Sequence, residues 1–273
     1  MIVIAKHTNQ LCNRLFSYLP VISYALEARE PFHFLFQYRG YEGLFPNLRE
    51  SGVKSYWTTR SIDGGALPKI FYAIVRAMDR VVHLVLKPGE AVPLREPMGV
   101  LFSPRWREVR YDAAFVEKHR DAITRLFAPS AEVLEAVRRK VCDGDGVTVG
   151  VHIRRGDYAS FKGGRYFYGL DVYDRLMAEA ESKLGKGGKV RFLVCSNEVV
   201  DASSFAGHDI FFMDGGVMED LYGLAHCQYI MAPPSTFSQW ASFWGRVPLW
   251  QITRADASLR VEDFWVCGSL RQA

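Results

Sequence analysis

The 273-residue chain contains no CxxC pair, no Walker A loop, no G-x-S-x-G elbow and no G-x-G-x-x-G after its first apolar run. Those absences argue against a structural zinc site, a P-loop kinase, an α/β-hydrolase and a dinucleotide-dependent dehydrogenase. Five cysteines (Cys12, Cys142, Cys195, Cys227 and Cys267) form an odd set without framework spacing, which points to a reducing, cytoplasmic setting. No basic tract is present, and a net charge of +4 spread along the chain gives no grip for a nucleic-acid backbone. Long hydrophobic runs are missing too. The apolar opening "IVIA" is too short for a signal peptide or a membrane span. The longest apolar segment, residues 67–87, is interrupted by Arg76, Arg80, His83 and Lys87 at helical spacing. It predicts an amphipathic helix that packs on the core or lines an acceptor groove, with weak contact at the inner face of a membrane as the lesser alternative.

What is present is core material. Hydrophobic residues make up 49% of the chain and aromatic residues 14%, enough for one large α/β domain or two smaller ones and too much for disorder. In the second half, "VTVGVHI", "VRFLVCS", "DIFFMD", "YIMAP" and "PLWQIT" read as strands. The helical patterns "LDVYDRLMAEAESKL", "MEDLYGLAHCQ" and "STFSQWASFWG" fall between several of them. That alternation predicts a parallel, doubly wound sheet that binds ligand at the carboxyl ends of its strands. The first half opens similarly, with a strand over 2–5, a helix from Asn13 to Ala28 and a strand "FHFLFQ". The glycine- and proline-containing stretch that follows gives no assignment. A helical stretch over 112–142, broken at Pro129, leads to the turn "DGDG", and the domain boundary is placed there, giving domains 1–143 and 144–273.

The chemistry gathers at strand ends. After Ile153 come Arg154, Arg155, Gly156 and Asp157, and a forked guanidinium suits phosphate oxygens. Alternation along the strand puts His152 and Arg154 on one side and Arg155 on the other. Arg155 and Asp157 are counted with them as donor-binding candidates, Asp157 as a partner that orients Arg155. After "YIMAPP", Ser235, Thr236, Phe237 and Ser238 open a helix whose free N–H groups and hydroxyls suit an anion, although simple capping would use the same residues. Asn197 and Glu198 follow another strand and could hydrogen-bond a base or ribose; Asn13 starts the first helix, with Arg14 beside it. The Asp-x-Asp at 143–145 precedes its strand and reads as turn chemistry rather than a metal site.

Assembled, these motifs resemble the bacterial α-1,2-fucosyltransferases, glycosyltransferase family 11. "HIRRGDY" resembles the family's H-x-R-R-G-D-Y signature, "EDLYGLAHCQYIMAPPSTFSQWASFWG" its E-D-L-Y…S-T-F-S-W-W block, and "LCNRLFSYLPVISYALE" its G-N-Q-x-F-Q-Y opening. The resemblance implies a GT-B-like α/β fold: two Rossmann-like domains with parallel sheets facing across a cleft, the second holding GDP-fucose. It also implies metal-independent, inverting transfer of fucose to a glycan hydroxyl, as in polysaccharide biosynthesis. By residue, it puts Arg154 on the diphosphate, His152 near the nucleotide, Asn197 toward guanine or ribose, and Ser235, Thr236, Phe237 and Ser238 around phosphate and ribose. Asn13 approaches the pyrophosphate or sugar from the first domain. Three departures stand out: Gln10, Leu11 and Cys12 replace the family's glycine-rich loop, Tyr168 and Gly169 replace a His-Gly pair, and Ala241 replaces the second Trp. No single general base emerges; His7, Glu42 and Asp157 are the candidates. Two rival readings remain: a transferase using another nucleotide sugar, or a non-catalytic nucleotide- or glycan-binding module.

Overall fold

A computed structural model describes residues 2–4, 10–41, 43–60, 66–86, 100–101 and 113–268. His7 and Glu42, two of the candidate bases, lie outside the described residues. The chain divides into two compact units, Met1–Ala128 and Pro129–Ala273.

In the first unit, the elements are β1 (Ile2–Ile4), α1 (Leu11–Ala28), β2 (Phe32–Tyr38), α2 (Pro46–Glu50), β3 (Ser55–Thr59), α3 (Ala66–Leu86), β4 (Val100–Leu101), α4 (Ala113–Lys118) and α5 (Arg120–Leu126). Their sheet has the order β3-β2-β1-β4, with β1, β2 and β3 parallel and β4 antiparallel. The aromatic alternation of "FHFLFQY" makes β2 central, burying Phe32, Phe34 and Phe36. Helix α3 packs Phe71, Tyr72 and Val75 against Val3, Leu35, Phe36 and Trp57, so its inner face lies on the core as its periodicity predicts. Two strands escape a sequence reading. β3, "SYWTT", is an edge strand with mostly exposed side chains, and β4 is two residues long.

The second unit contains α6 (Ala131–Val137), a π-helical turn over Arg138–Cys142, β5 (Val147–Ile153), α7 (Leu170–Leu184), β6 (Val190–Ser196) and β7 (Ile210–Phe211). Helix α8 (Val217–Leu224), β8 (Tyr229–Ala232), α9 (Thr236–Gly245) and β9 (Leu249–Gln251) complete it. All five strands are parallel, in the order β7-β6-β5-β8-β9. The division between the compact units falls at 128/129, ahead of the expected boundary at 143/144. Helix α6 packs on α8, and the Arg191 guanidinium donates to the Lys140 carbonyl (3.3 Å), so residues 129–143 belong to the second sheet's layer.

Strand β5 is the axis of this unit. Val149, Val151 and Ile153 are fully buried on one side, and on the other Gly150 leaves room for α8: a Cβ there would meet Leu224 at 2.5 Å. Helix α7 covers the sheet with Val172, Tyr173, Leu176, Met177, Ala180 and Leu184, buried at 3–4-residue spacing. Each such Leu or Met stabilises the fold by about 1.5–3 kcal/mol. The strand order reverses direction between β5 and β8, and that reversal makes a ligand crevice at their carboxyl ends.

Candidate active site

At the tip of β5 the backbone leaves the sheet in a tight turn over Gly156–Ala159. Gly156 has φ +30°, and a Cβ there would come 2.5 Å from the Asn197 Nδ2. Glycine is therefore needed twice, for conformation and for close approach. The end of β6 clamps the turn. The Asn197 Oδ1 accepts from the Arg155 N–H (3.0 Å), and the Glu198 Oε1 accepts from the Gly156 N–H (2.8 Å).

The ion pairs differ from the sequence reading. Asp157 pairs with Arg154 (3.0 Å), while Arg155 reaches Glu198 (3.5 Å). The expectation that Asp157 orients Arg155 is corrected: the turn brings Asp157 back over Arg154, and β6 supplies the other carboxylate. The Arg154 side chain is 17% exposed and lies 5.6 Å from the Tyr158 ring; Arg155 lies 5.0 Å from the Phe167 ring. Both guanidinium planes are thus held from more than one direction, which fixes their charge in space.

His152 shares the Arg154 side, as alternation requires. Its imidazole is 3% exposed, and burial, with the Arg154 charge adding to it, holds its pKa down at about 3. The ring is neutral throughout the physiological range. Phe237 lies 5.0 Å away, and the His152 Nδ1 has no hydrogen-bond partner among the described residues. An orphaned buried polar atom costs about 1–3 kcal/mol, a cost that a bound ligand or water would relieve.

Across the crevice, β8 ends at Pro233 and Pro234, and Ser235 caps α9 by accepting from the Phe237 N–H (3.3 Å). The Ser238 hydroxyl is buried and donates to the Ser235 carbonyl (3.1 Å). Ser235 therefore caps, as the simpler reading had it, and the Ser238 hydroxyl is spent on a carbonyl of the same turn, while the helix N-terminus with Thr236 and Phe237 remains partly open. The Tyr158 hydroxyl donates to the Pro234 carbonyl (2.6 Å) and ties the arginine turn to the start of α9. Two positive features, guanidinium and helix dipole, are thereby locked together at the topological switch point.

A cavity of about 230 Å³ opens beside them at the carboxyl ends of β6 and β7, lined by Ser196, Glu198, Val200, Phe212, Met213 and Asp220 among others. Asp220, in the first turn of α8, has its carboxyl pushed up to about 6, by burial first and by the neighbouring Glu219 charge second. The sequence reading passed over this residue. Its signal was the Glu-Asp pair opening a helix, whose acid groups look like ordinary N-terminal charges until the cavity is seen. A larger cavity, about 640 Å³, lies in the first unit at the amino end of β2, between Leu26, His33, Asn47, Val53 and Arg125. None of the predicted site residues lines it.

In the first unit Asn13 is exposed in the first turn of α1, while Arg14 is buried beside Tyr18 and Tyr41. Burial pushes the Tyr18 phenol up to about 12 despite the adjacent guanidinium. Among the described residues no cluster of three or more His, Cys, Asp or Glu could hold a metal ion. The Asp-x-Asp stretch forms the bend before β5, where Asp143 pairs with Arg138 (3.5 Å).

A sequence profile described as glycosyl transferase family 11 matches residues 114–250. No curated protein matches the sequence. Among solved structures, the chain is similar to the fucosyltransferase NodZ from Bradyrhizobium: 15% identity, TM-score 0.50, covering 91% of this chain and 94% of that one. It is also similar to a mutant of Arabidopsis thaliana FUT1 in complex with GDP: 13% identity, TM-score 0.51, covering 94% of this chain and 71% of that one. At these identities the likeness speaks for the fold, which is GT-B-like with two Rossmann-like α/β units.

Proposed function

The chain belongs to glycosyl transferase family 11, and from that premise we propose that it moves fucose from GDP-fucose to a glycan hydroxyl, with inversion, without a metal, and forming an α-1,2 linkage. The observation that carries the reading is the Arg154 turn, tied through Tyr158 to the N-terminus of α9 at the switch point of the second sheet. In the transfer, the acceptor oxygen forms a bond to the anomeric carbon as the bond to the diphosphate oxygen breaks. The electron pair leaves with the diphosphate, and the hydroxyl proton goes to a base. Arg154 and the α9 N–H groups stabilise the growing charge, with Asp157 holding the guanidinium in place. Asp157 is so engaged with Arg154 that we assign it positioning rather than proton removal. His152 and Phe237 form the uncharged wall beside the nucleotide, and Thr236 borders the phosphates. Asn197 braces the turn through the Arg155 N–H, so its role toward the base or ribose is indirect.

The cavity at Asp220 supports guanine over uracil. Guanine presents two adjacent N–H donors on its Watson–Crick edge, which one ionised carboxylate can accept together, whereas uracil presents a single N–H between two carbonyls. The five free thiols suit a reducing, cytoplasmic compartment. The test is a panel of nucleotide sugars read by thermal shift and turnover. Stabilisation by GDP and GDP-fucose, with slow donor hydrolysis when no acceptor is present, supports the reading. Stabilisation by UDP alone would replace the donor, and tight binding without turnover on any glycan would favour a binding module.

A further inference from the structure

The segment between the tip of β5 and α7 is basic and carries open aromatic rings. Within residues 156–169 the charged side chains are Asp157, Lys162 and Arg165, and Asp157 is taken by Arg154. Lys162 and Arg165 are exposed and, among the described residues, have no carboxylate partner. They lie against rings instead. The Lys162 Nζ is 5.7 Å from the centres of both the Phe161 and the Tyr166 rings, and the Arg165 guanidinium is 5.4 Å from the Tyr166 ring. The backbone bears a cost for this arrangement. Lys162 has φ 48° and ψ 39°, a left-handed conformation unfavourable for a side chain with a Cβ, and Gly163 and Gly164 continue it at φ +69° and +77°. Glycine or asparagine would adopt that conformation with less strain, but neither would bring an ammonium group to two rings.

Two rings of the segment stay open to solvent: Phe161 is 43% exposed and Phe167 38%. Both rest on the arginine turn. Phe161 stacks on Tyr158 at 5.0 Å, and the Tyr158 ring is 5.6 Å from Arg154; Phe167 lies 5.0 Å from the Arg155 guanidinium. A molecule held on these rings therefore stands one side chain away from the groups read above as the diphosphate clamp. The donor already has Arg154 and the start of α9 for its charge, which leaves Lys162 and Arg165 to the other substrate. A pyranose ring has C–H faces that pack on aromatic carbon. Both cations can donate to any sugar hydroxyl, but without a carboxylate partner they gain most from a sugar that itself carries negative charge. We infer that Phe161, Lys162, Arg165 and Phe167 hold the acceptor, and that this acceptor is an anionic saccharide bearing carboxylate or phosphate groups. The inference rests on the transfer reading of the site and adds the class of the second substrate.

The test measures, by calorimetry over a salt series, the binding of three matched oligosaccharide sets to the full chain saturated with GDP: neutral, uronic-acid-containing and phosphorylated. Each set is also scored as acceptor by GDP release from GDP-fucose. At least one anionic set is expected to bind about three- to tenfold more tightly than its neutral counterpart, with the preference shrinking at high salt, and the set that does so identifies the source of the charge. Lys162→Asn/Arg165→Gln removes both charges with a residue suited to the left-handed position. It is expected to erase the preference and raise KM for the anionic acceptor about three- to tenfold, with kcat and GDP affinity unchanged. Phe161→Ala should weaken neutral and anionic saccharides alike, by about three- to tenfold. If the double variant misfolds, Arg165→Gln alone decides the matter, with a loss of about two- to threefold for the anionic set only. Equal binding of anionic and neutral sets by the native chain, or an unchanged preference in the charge variant, overturns the inference. So does a parallel loss of GDP affinity in that variant, which would give the two cations to the donor, and so does tighter binding of single-stranded polyuridylate than of any saccharide. A native chain that GDP does not stabilise fails the transfer reading and the inference with it, and that melting curve is read before any saccharide is added.

Discussion

Replacing Arg154 with lysine keeps the charge and removes the fork, and the structure gives the two resulting losses different sizes. In the fold, Arg154 makes an ion pair with Asp157, whose side chain is 53% exposed, and lies 5.6 Å from the Tyr158 ring. A partly exposed pair contributes about 0–1 kcal/mol and a cation–π contact about 0.5–1 kcal/mol. Even complete loss of both therefore lowers stability by less than about 2 kcal/mol, and Tm by a few degrees for a protein of this size. In the proposed reaction, the same guanidinium would act as a preorganised donor to the leaving diphosphate. Losing such a donor costs about 2.7–4 kcal/mol of transition-state stabilisation, a factor of about 10² to 10³ in rate. Arg154→Ala and Arg154→Lys are thus expected to remain folded at assay temperature while transfer falls at least a hundredfold. The assay couples release of GDP from GDP-fucose to a thermal unfolding curve of the same sample. A folded variant with near-native turnover would refute the assignment, and a loss of activity that merely tracks the unfolded fraction would reduce Arg154 to a structural residue.

Asp157→Asn should cost less, about five- to tenfold in kcat/KM, because it loosens the guanidinium without removing it. Gly156→Ala, at φ +30° and 2.5 Å from Asn197, should lower stability by about 1–2 kcal/mol in chemical denaturation and disturb the arginine turn with it. The Asp220 carboxyl, raised from 3.8 to about 6 in the fold, makes the native state bind more protons than the unfolded chain between those values. Stability should therefore fall as pH rises from about 4 to 6 and stay lower above. The gross cost of about 3 kcal/mol reduces to about 1–2 after solvent screening. Asp220→Asn should recover that stability at pH 7 while weakening GDP binding in calorimetry. Glu179 behaves in the opposite sense. Burial opposes its ionisation, but bonds from Lys183, Ser258 and the Leu259 N–H outweigh it and hold its carboxyl down at about 2. Its support of the C-terminal segment should be complete above about pH 4.5 and lost as pH falls toward 2, and Glu179→Ala should remove that limb of an acid-denaturation curve. Transfer should persist after exhaustive treatment with a chelator, measured by the same GDP-release assay.

The sequence by itself determined the second unit almost completely. β5, β6 and α7 have the bounds their periodicity predicts, because apolar strands between amphipathic helices leave few arrangements open. It also put Arg154 and Ser235 at strand ends, since a strand's direction and its following turn are local properties. Tertiary structure decided the partners. Asp157 turns to Arg154 and Glu198 to Arg155 because β6 lies beside β5, a neighbour relation that residue spacing does not encode. Asp220 acquires its raised pKa only when β6, β7 and α8 enclose it. The edge strand β3 went unread because its side chains are mostly exposed, and β4 because two residues carry no periodicity. The apolar richness of α3 was plain in the sequence; which of its side chains the sheet would cover was settled only by packing.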